Sequence, residues 1–94
     1  MDPVNLLNEA NHGEQDRILR ESFDLFGDRI IVAHAKDYVI DGGVLRSVPS
    51  GKGFFDTKLF CSLLAQRKSG IDVILEDTHP DTIADSIAHV RSCF

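Results

Sequence analysis

The stretch Arg29-Ile30-Ile31-Val32-Ala33-His34 decides how this chain is read. An unbroken apolar run ends in a histidine. Continuous rather than alternating apolarity predicts a strand buried on both faces, as in a parallel sheet. A second run, Ile71-Asp72-Val73-Ile74-Leu75-Glu76, is again short and aliphatic and again ends in a residue foreign to a core. Each run is followed by a helical pattern. After the second, Pro80 sits at the favoured first-turn position, and Ile83, Ile87, Val90 and Phe94 follow at i, i+4, i+7 and i+11. After the first, a long connection from Ala35 to Phe55 leads to a helix beginning near Asp56, a candidate N-cap. Leu59, Phe60, Leu63 and Leu64 form its apolar face, and Gly70 closes it. Within the connection, Asp41-Gly42-Gly43 separates Tyr38-Val39-Ile40 from Val44-Leu45-Arg46, a hairpin signal. Val48-Pro49-Ser50-Gly51-Lys52-Gly53 reads as a turn.

Ahead of the first strand, Leu19, Phe23 and Phe26, flanked by Ile18 and Leu25, predict a helix over about Glu14–Phe26. Gly27 is placed to end it in a left-handed conformation. Two strands, each followed by a helix, make parallel β/α units. A (β/α)8 barrel of about 250 residues spends about 31 on each unit, so 94 residues hold about three. A two-stranded parallel sheet covers neither its faces nor its edges. The expectation is therefore an α/β chain that is one domain, residues 1–94, and part of something larger: the last two units of a barrel and the helix before them.

Composition narrows the function classes. Apolar residues are 43% and charged residues 27%, an ordinary soluble balance. No apolar run reaches the roughly 20 residues of a membrane span. Met1-Asp2-Pro3-Val4-Asn5 has no basic region leading into an apolar stretch, which argues against a secretory signal and for a cytoplasmic protein. The net charge of −5 is the wrong sign for a sequence-independent grip on nucleic acid. Cys61 and Cys93 are too few for a disulfide scaffold or a zinc finger and read as reduced packing residues.

In parallel α/β folds ligands gather at the C-terminal ends of strands. His34 and Glu76 end the two strands, and with Asp2 as a third ligand they make a candidate divalent-metal site. The competing reading makes His34 a hydrogen-bonded boundary residue and Glu76-Asp77 a solvated loop start. Lys36 is a candidate for an anionic substrate group or a developing oxyanion, against a surface ion pair with Asp37. Lys52 and Arg46, with the backbone of Ser50-Gly51-Lys52-Gly53, are candidates for a phosphate, against a flexible loop. The glycine spacing is not that of a P-loop. His12, His79 and His89 read as surface residues.

Taken in succession, Asp2-Pro3-Val4-Asn5-Leu6-Leu7, Phe26-Gly27-Asp28-Arg29-Ile30-Ile31-Val32-Ala33-His34-Ala35-Lys36-Asp37, Val48-Pro49-Ser50-Gly51-Lys52-Gly53 and Val73-Ile74-Leu75-Glu76 resemble the C-terminal third of the sugar phosphate isomerase/epimerase family, the xylose isomerase-like TIM barrels. The resemblance implies one divalent metal ion, Mn²⁺ or Mg²⁺, at the C-terminal mouth of the barrel. It assigns Asp2, His34 and Glu76 as ligands and places the remaining glutamate upstream of Met1. It also implies that Glu76 is half of an acid/base pair moving a proton on the carbon beside a carbonyl, through an enediolate.

The function expected is thus metal-assisted isomerisation or epimerisation of a sugar or sugar phosphate, with little or no catalysis by the 94 residues alone. Self-association or a second chain would complete the sheet. A non-catalytic remnant or interaction fragment is the alternative. A DNA-repair nuclease of the apurinic-endonuclease kind would want more metal ligands and a less acidic chain.

Overall fold

The computed structural model describes residues 1–67 and 70–94. Its helices are α1 (Gln15–Phe26), α2 (Thr57–Arg67) and α3 (Ile83–Cys93). Its strands are β1 (Val32–Ala35), β2 (Asp37–Asp41), β3 (Val44–Val48) and β4 (Asp72–Leu75). Short 3₁₀ turns lie at Pro3–Leu6, His12–Glu14 and Gly27–Arg29.

β1 and β4 pair in parallel, with Val32 opposite Asp72 and Ala35 opposite Leu75. Both strands are shorter than their apolar runs. The turn at Gly27–Arg29 holds the front of the first run, and pairing with β4 begins only at Val32. Gly27 does not take the left-handed conformation expected of it: its φ is −52°. The 3₁₀ turn carries α1 directly toward β1, so no left-handed residue is required. β2 and β3 form the predicted hairpin. Its two-residue loop, Gly42 and Gly43, has φ of +60° and +79°, which glycine adopts without steric cost.

Among the described residues only one face of the parallel pair is covered, which corrects the expectation of burial on both. Register puts Ala33 and Ala35 on the same face as Val73 and Leu75. Ala35, Val73 and Leu75 pack against Cys61 of α2 and Val90 of α3, and Ala33 belongs to the main core. Val32, His34 and Ile74 lie on the other face, where Ile74 is 47% exposed. The main core lies around Leu19 and Phe23 of α1, Phe60 and Leu64 of α2, and Tyr38 and Phe55. Phe60 meets the edges of Phe23 and Phe55 at centroid distances of 5.9 and 5.8 Å.

The apolar stripes are narrower than their spacing predicted. Leu25 and Phe26 of α1 are exposed, as are Ile83 and Phe94 at the ends of the α3 pattern. α2 begins at Thr57, and Asp56 caps it by accepting the Leu59 N–H at 3.0 Å. Gly70 has the left-handed φ, +83°, of a residue that ends a helix. α3 begins at Ile83 rather than Pro80, because residues 79–82 form a turn of their own. The Thr82 hydroxyl oxygen accepts the His79 N–H at 3.0 Å, and the Thr82 N–H donates to the His79 carbonyl at 2.9 Å. Among the described residues no helix is long and apolar enough to cross a membrane.

Candidate metal centre

Met1 extends the parallel arrangement by one position. Its amino group donates to the Val32 carbonyl at 2.8 Å, and its carbonyl accepts the His34 N–H at 2.7 Å. This is the hydrogen-bond pattern of a residue paired in parallel with Ala33, on the side of β1 away from β4. Asp2, His34 and Glu76 therefore stand at the C-terminal ends of three adjacent parallel segments. Pro3 helps to hold Asp2 extended, at φ −121° and ψ 95°. Pro3 and Val4 are buried and anchor the segment. On the other side, Asp77 turns the chain sharply away after Glu76, with φ +56°.

One ligand atom from each of Asp2, His34 and Glu76 lies within 4.8 Å of the other two. His34 Nδ1 and Glu76 Oε1 share a hydrogen bond. Lys36 also enters the cluster, its Nζ 3.1 Å from Asp2 Oδ2, 3.6 Å from Glu76 Oε2 and 3.0 Å from Asn5 Oδ1. Asp2 Oδ1 is buried and has no hydrogen-bond partner among the described residues.

The electrostatics divide the two carboxylates. Burial raises the Asp2 pKa above its ordinary value; the Lys36 ammonium opposes this and the Glu76 carboxylate reinforces it. The hydrogen bond from His34 is the main reason Glu76 lies below its ordinary value. Burial lowers the Lys36 pKa, but Asp2 and Glu76 outweigh it and the net shift is upward. The cluster thus holds one carboxylate that ionises reluctantly and one that ionises readily.

The structure brings together all three proposed ligands. Lys36 joins them as a buried ammonium, not as the surface partner of Asp37. Lys52 does not reach the cluster: it is exposed and pairs with Asp85 at 3.6 Å. Arg46 is likewise exposed, paired with Asp41 at 2.9 Å.

Part of the backbone of Ser50-Gly51-Lys52-Gly53, the candidate for a phosphate, faces a side chain of the protein itself. The carboxylate of Asp37 already occupies this loop, accepting the N–H groups of Gly51 at 3.1 Å and Phe55 at 2.7 Å, as well as that of Tyr38 at 2.8 Å. A second anion would meet a buried negative charge there.

Asp37 is the residue that sequence reasoning most undervalued, since nothing in its spacing distinguishes it from a surface aspartate. Asn5 was missed for the same reason. His79 is exposed as expected, but His12 and His89 are half-buried. His12 Nδ1 lies 3.2 Å from the Tyr38 hydroxyl, and His89 packs over Gly51 with its Nε2 buried and unpartnered among the described residues. Comparison of the chain with protein-family models, with curated proteins and with solved structures finds no match.

Proposed function

We propose that this chain carries the divalent-metal-binding part of a (β/α)8 barrel that isomerises or epimerises a sugar or sugar phosphate. The observation that carries the reading is the convergence of Asp2, His34 and Glu76 at the ends of adjacent parallel segments. Two carboxylates and an imidazole suit Mn²⁺ or Mg²⁺, with oxygen donors in the majority. The unpartnered, buried Asp2 Oδ1 fits the same assignment, because an unpaired carboxylate oxygen is costly without a cation or donor.

A bound divalent ion would polarise a substrate carbonyl. The chain's own contribution to the chemistry is Glu76. The hydrogen bond from His34 lowers its pKa from the ordinary carboxylate value, which favours the ionised form that accepts a proton. Proton transfer between neighbouring carbons also needs an acid/base group on the opposite side of the substrate, which the family resemblance assigns to another segment. The 94 residues are therefore expected to bind metal and to turn over no aldose or ketose.

The test is titration of the purified chain with Mn²⁺, following free Mn²⁺ by electron paramagnetic resonance. Micromolar binding lost in both Asp2→Ala and His34→Ala, with circular dichroism unchanged, supports the assignment. Binding unaffected by both substitutions removes it. Lys36 favours a second reading, a non-catalytic fragment in which the ammonium is the permanent counter-ion of a purely structural cluster. Failure of Mn²⁺ to bind any form of the chain selects that reading.

A further inference from the structure

We propose that Lys36 is a resident counter-cation that competes with the divalent ion for the same carboxylates and so sets the metal affinity of the site. The inference rests on the metal-centre reading and deepens it. Lys36 Nζ lies against Asp2 Oδ2 and Glu76 Oε2, so it is the shared counter-ion of both charged candidate ligands. It is held there from a third direction by Asn5 Oδ1. Its side chain is only 10% exposed, so water screens its charge poorly.

The bookkeeping of charge follows from these contacts. With both carboxylates ionised and His34 neutral, Asp2, Glu76 and Lys36 sum to a formal charge of −1. A divalent ion brings the cluster to +1 while Lys36 stays in place. Without the ammonium the same ion would bring it to zero. A dipositive ion and an ammonium a few ångströms apart repel strongly even at the effective dielectric of a partly exposed site. Metal binding is therefore opposed for as long as Lys36 stays on Asp2 Oδ2 and Glu76 Oε2. Asn5 Oδ1, which is neutral, is the partner that can keep the displaced ammonium nearby. Lys36 is a positioning residue on this account: it holds the two carboxylates together before metal arrives and opposes the metal once it is there.

The consequence runs against the usual effect of deleting a buried charge at a binding site. Lys36→Met should bind Mn²⁺ at least about tenfold more tightly than the native chain. Lys36→Arg, which keeps the charge, should stay within about threefold of native. The metal-free Lys36→Met protein should melt at a lower temperature than native and regain the difference when Mn²⁺ is added.

The experiment is Mn²⁺ titration of native, Lys36→Met, Lys36→Gln and Lys36→Arg chains, with a thermal melt of each in the presence and absence of Mn²⁺. Lys36→Gln keeps a neutral N–H donor at this position and replaces Lys36→Met if the latter does not fold. Tighter binding by the neutral variants, including binding by them alone, supports the proposal. Equal or weaker binding by the neutral variants, with the native chain binding normally, overturns the counter-cation and leaves the metal centre standing. No Mn²⁺ bound by any of the four chains overturns both.

Discussion

Asp37 illustrates how much a single buried side chain organises. It is 1% exposed, and its two carboxylate oxygens accept backbone N–H groups from residues at three places in the chain. These bonds tie the start of the hairpin to the loop that enters α2. Asp37→Asn puts an N–H donor where only acceptors are satisfied, and should cost about 1–3 kcal/mol of stability, read from urea unfolding. Gly53 is as restrictive for a steric reason. A Cβ there would lie 1.9 Å from the Tyr38 carbonyl oxygen, the group that accepts the Phe54 N–H. Gly53→Ala should therefore destabilise by more than about 2 kcal/mol, since backbone rather than a side chain must move.

Asp2 behaves in the opposite sense. Its pKa is raised in the folded chain, so ionising it costs stability as pH rises from the unfolded value toward the folded one. Asp2→Asn removes that cost and supplies an amide N–H facing Glu76. The metal-free variant should melt at pH 7 no lower than native while losing Mn²⁺ binding. A fall in melting temperature would show that the ion pair with Lys36 outweighs burial.

At the scale of elements, α2 and α3 cover the buried face of the parallel pair, and Cys61 and Cys93 sit in that layer. Burial, aided by the neighbouring Cys93, pushes the Cys61 thiol up to about 12. At pH 8 Cys61 is then held as the thiol rather than the thiolate, the reactive form. Iodoacetamide should label the half-buried Cys93 first and Cys61 only on unfolding, as read by peptide mass spectrometry. The hairpin was legible in sequence because Gly42-Gly43 has one economical backbone solution. The start of α3 was not, because Pro80 suits a turn as well as a first helical turn, and Thr82 settled the choice by bonding back to His79. The register of β1 against β4 was also hidden, since Ile30 and Ile31 are as apolar as the residues that pair.

The whole molecule leaves one side of its parallel pair open. Ile31 is 89% exposed, and Leu25 and Phe26 at the end of α1 are exposed as well. So much uncovered aliphatic and aromatic surface on a chain of 94 residues favours association. Sedimentation velocity at micromolar concentrations should show species larger than a monomer, and Ile31→Lys with Ile74→Lys should shift the population toward monomer. A single sharp monomer boundary for the native chain would remove the expectation.

The sequence by itself determined the residue types and their order. It contained the alternation of helix and strand, the glycine hairpin, the acidic balance, and the histidine and glutamate placed at strand ends. These are local properties, set by side-chain chemistry and backbone preference over a few residues. Tertiary structure decided what depends on contacts between distant segments. It brought Asp2 beside His34 through the pairing of Met1 with β1, buried Lys36 among the carboxylates, and filled the glycine loop with Asp37. It also left the second face of β1 and β4 open. An apolar run carries the same hydrophobicity whether or not a neighbour covers it, so only the assembled packing could assign its exposure.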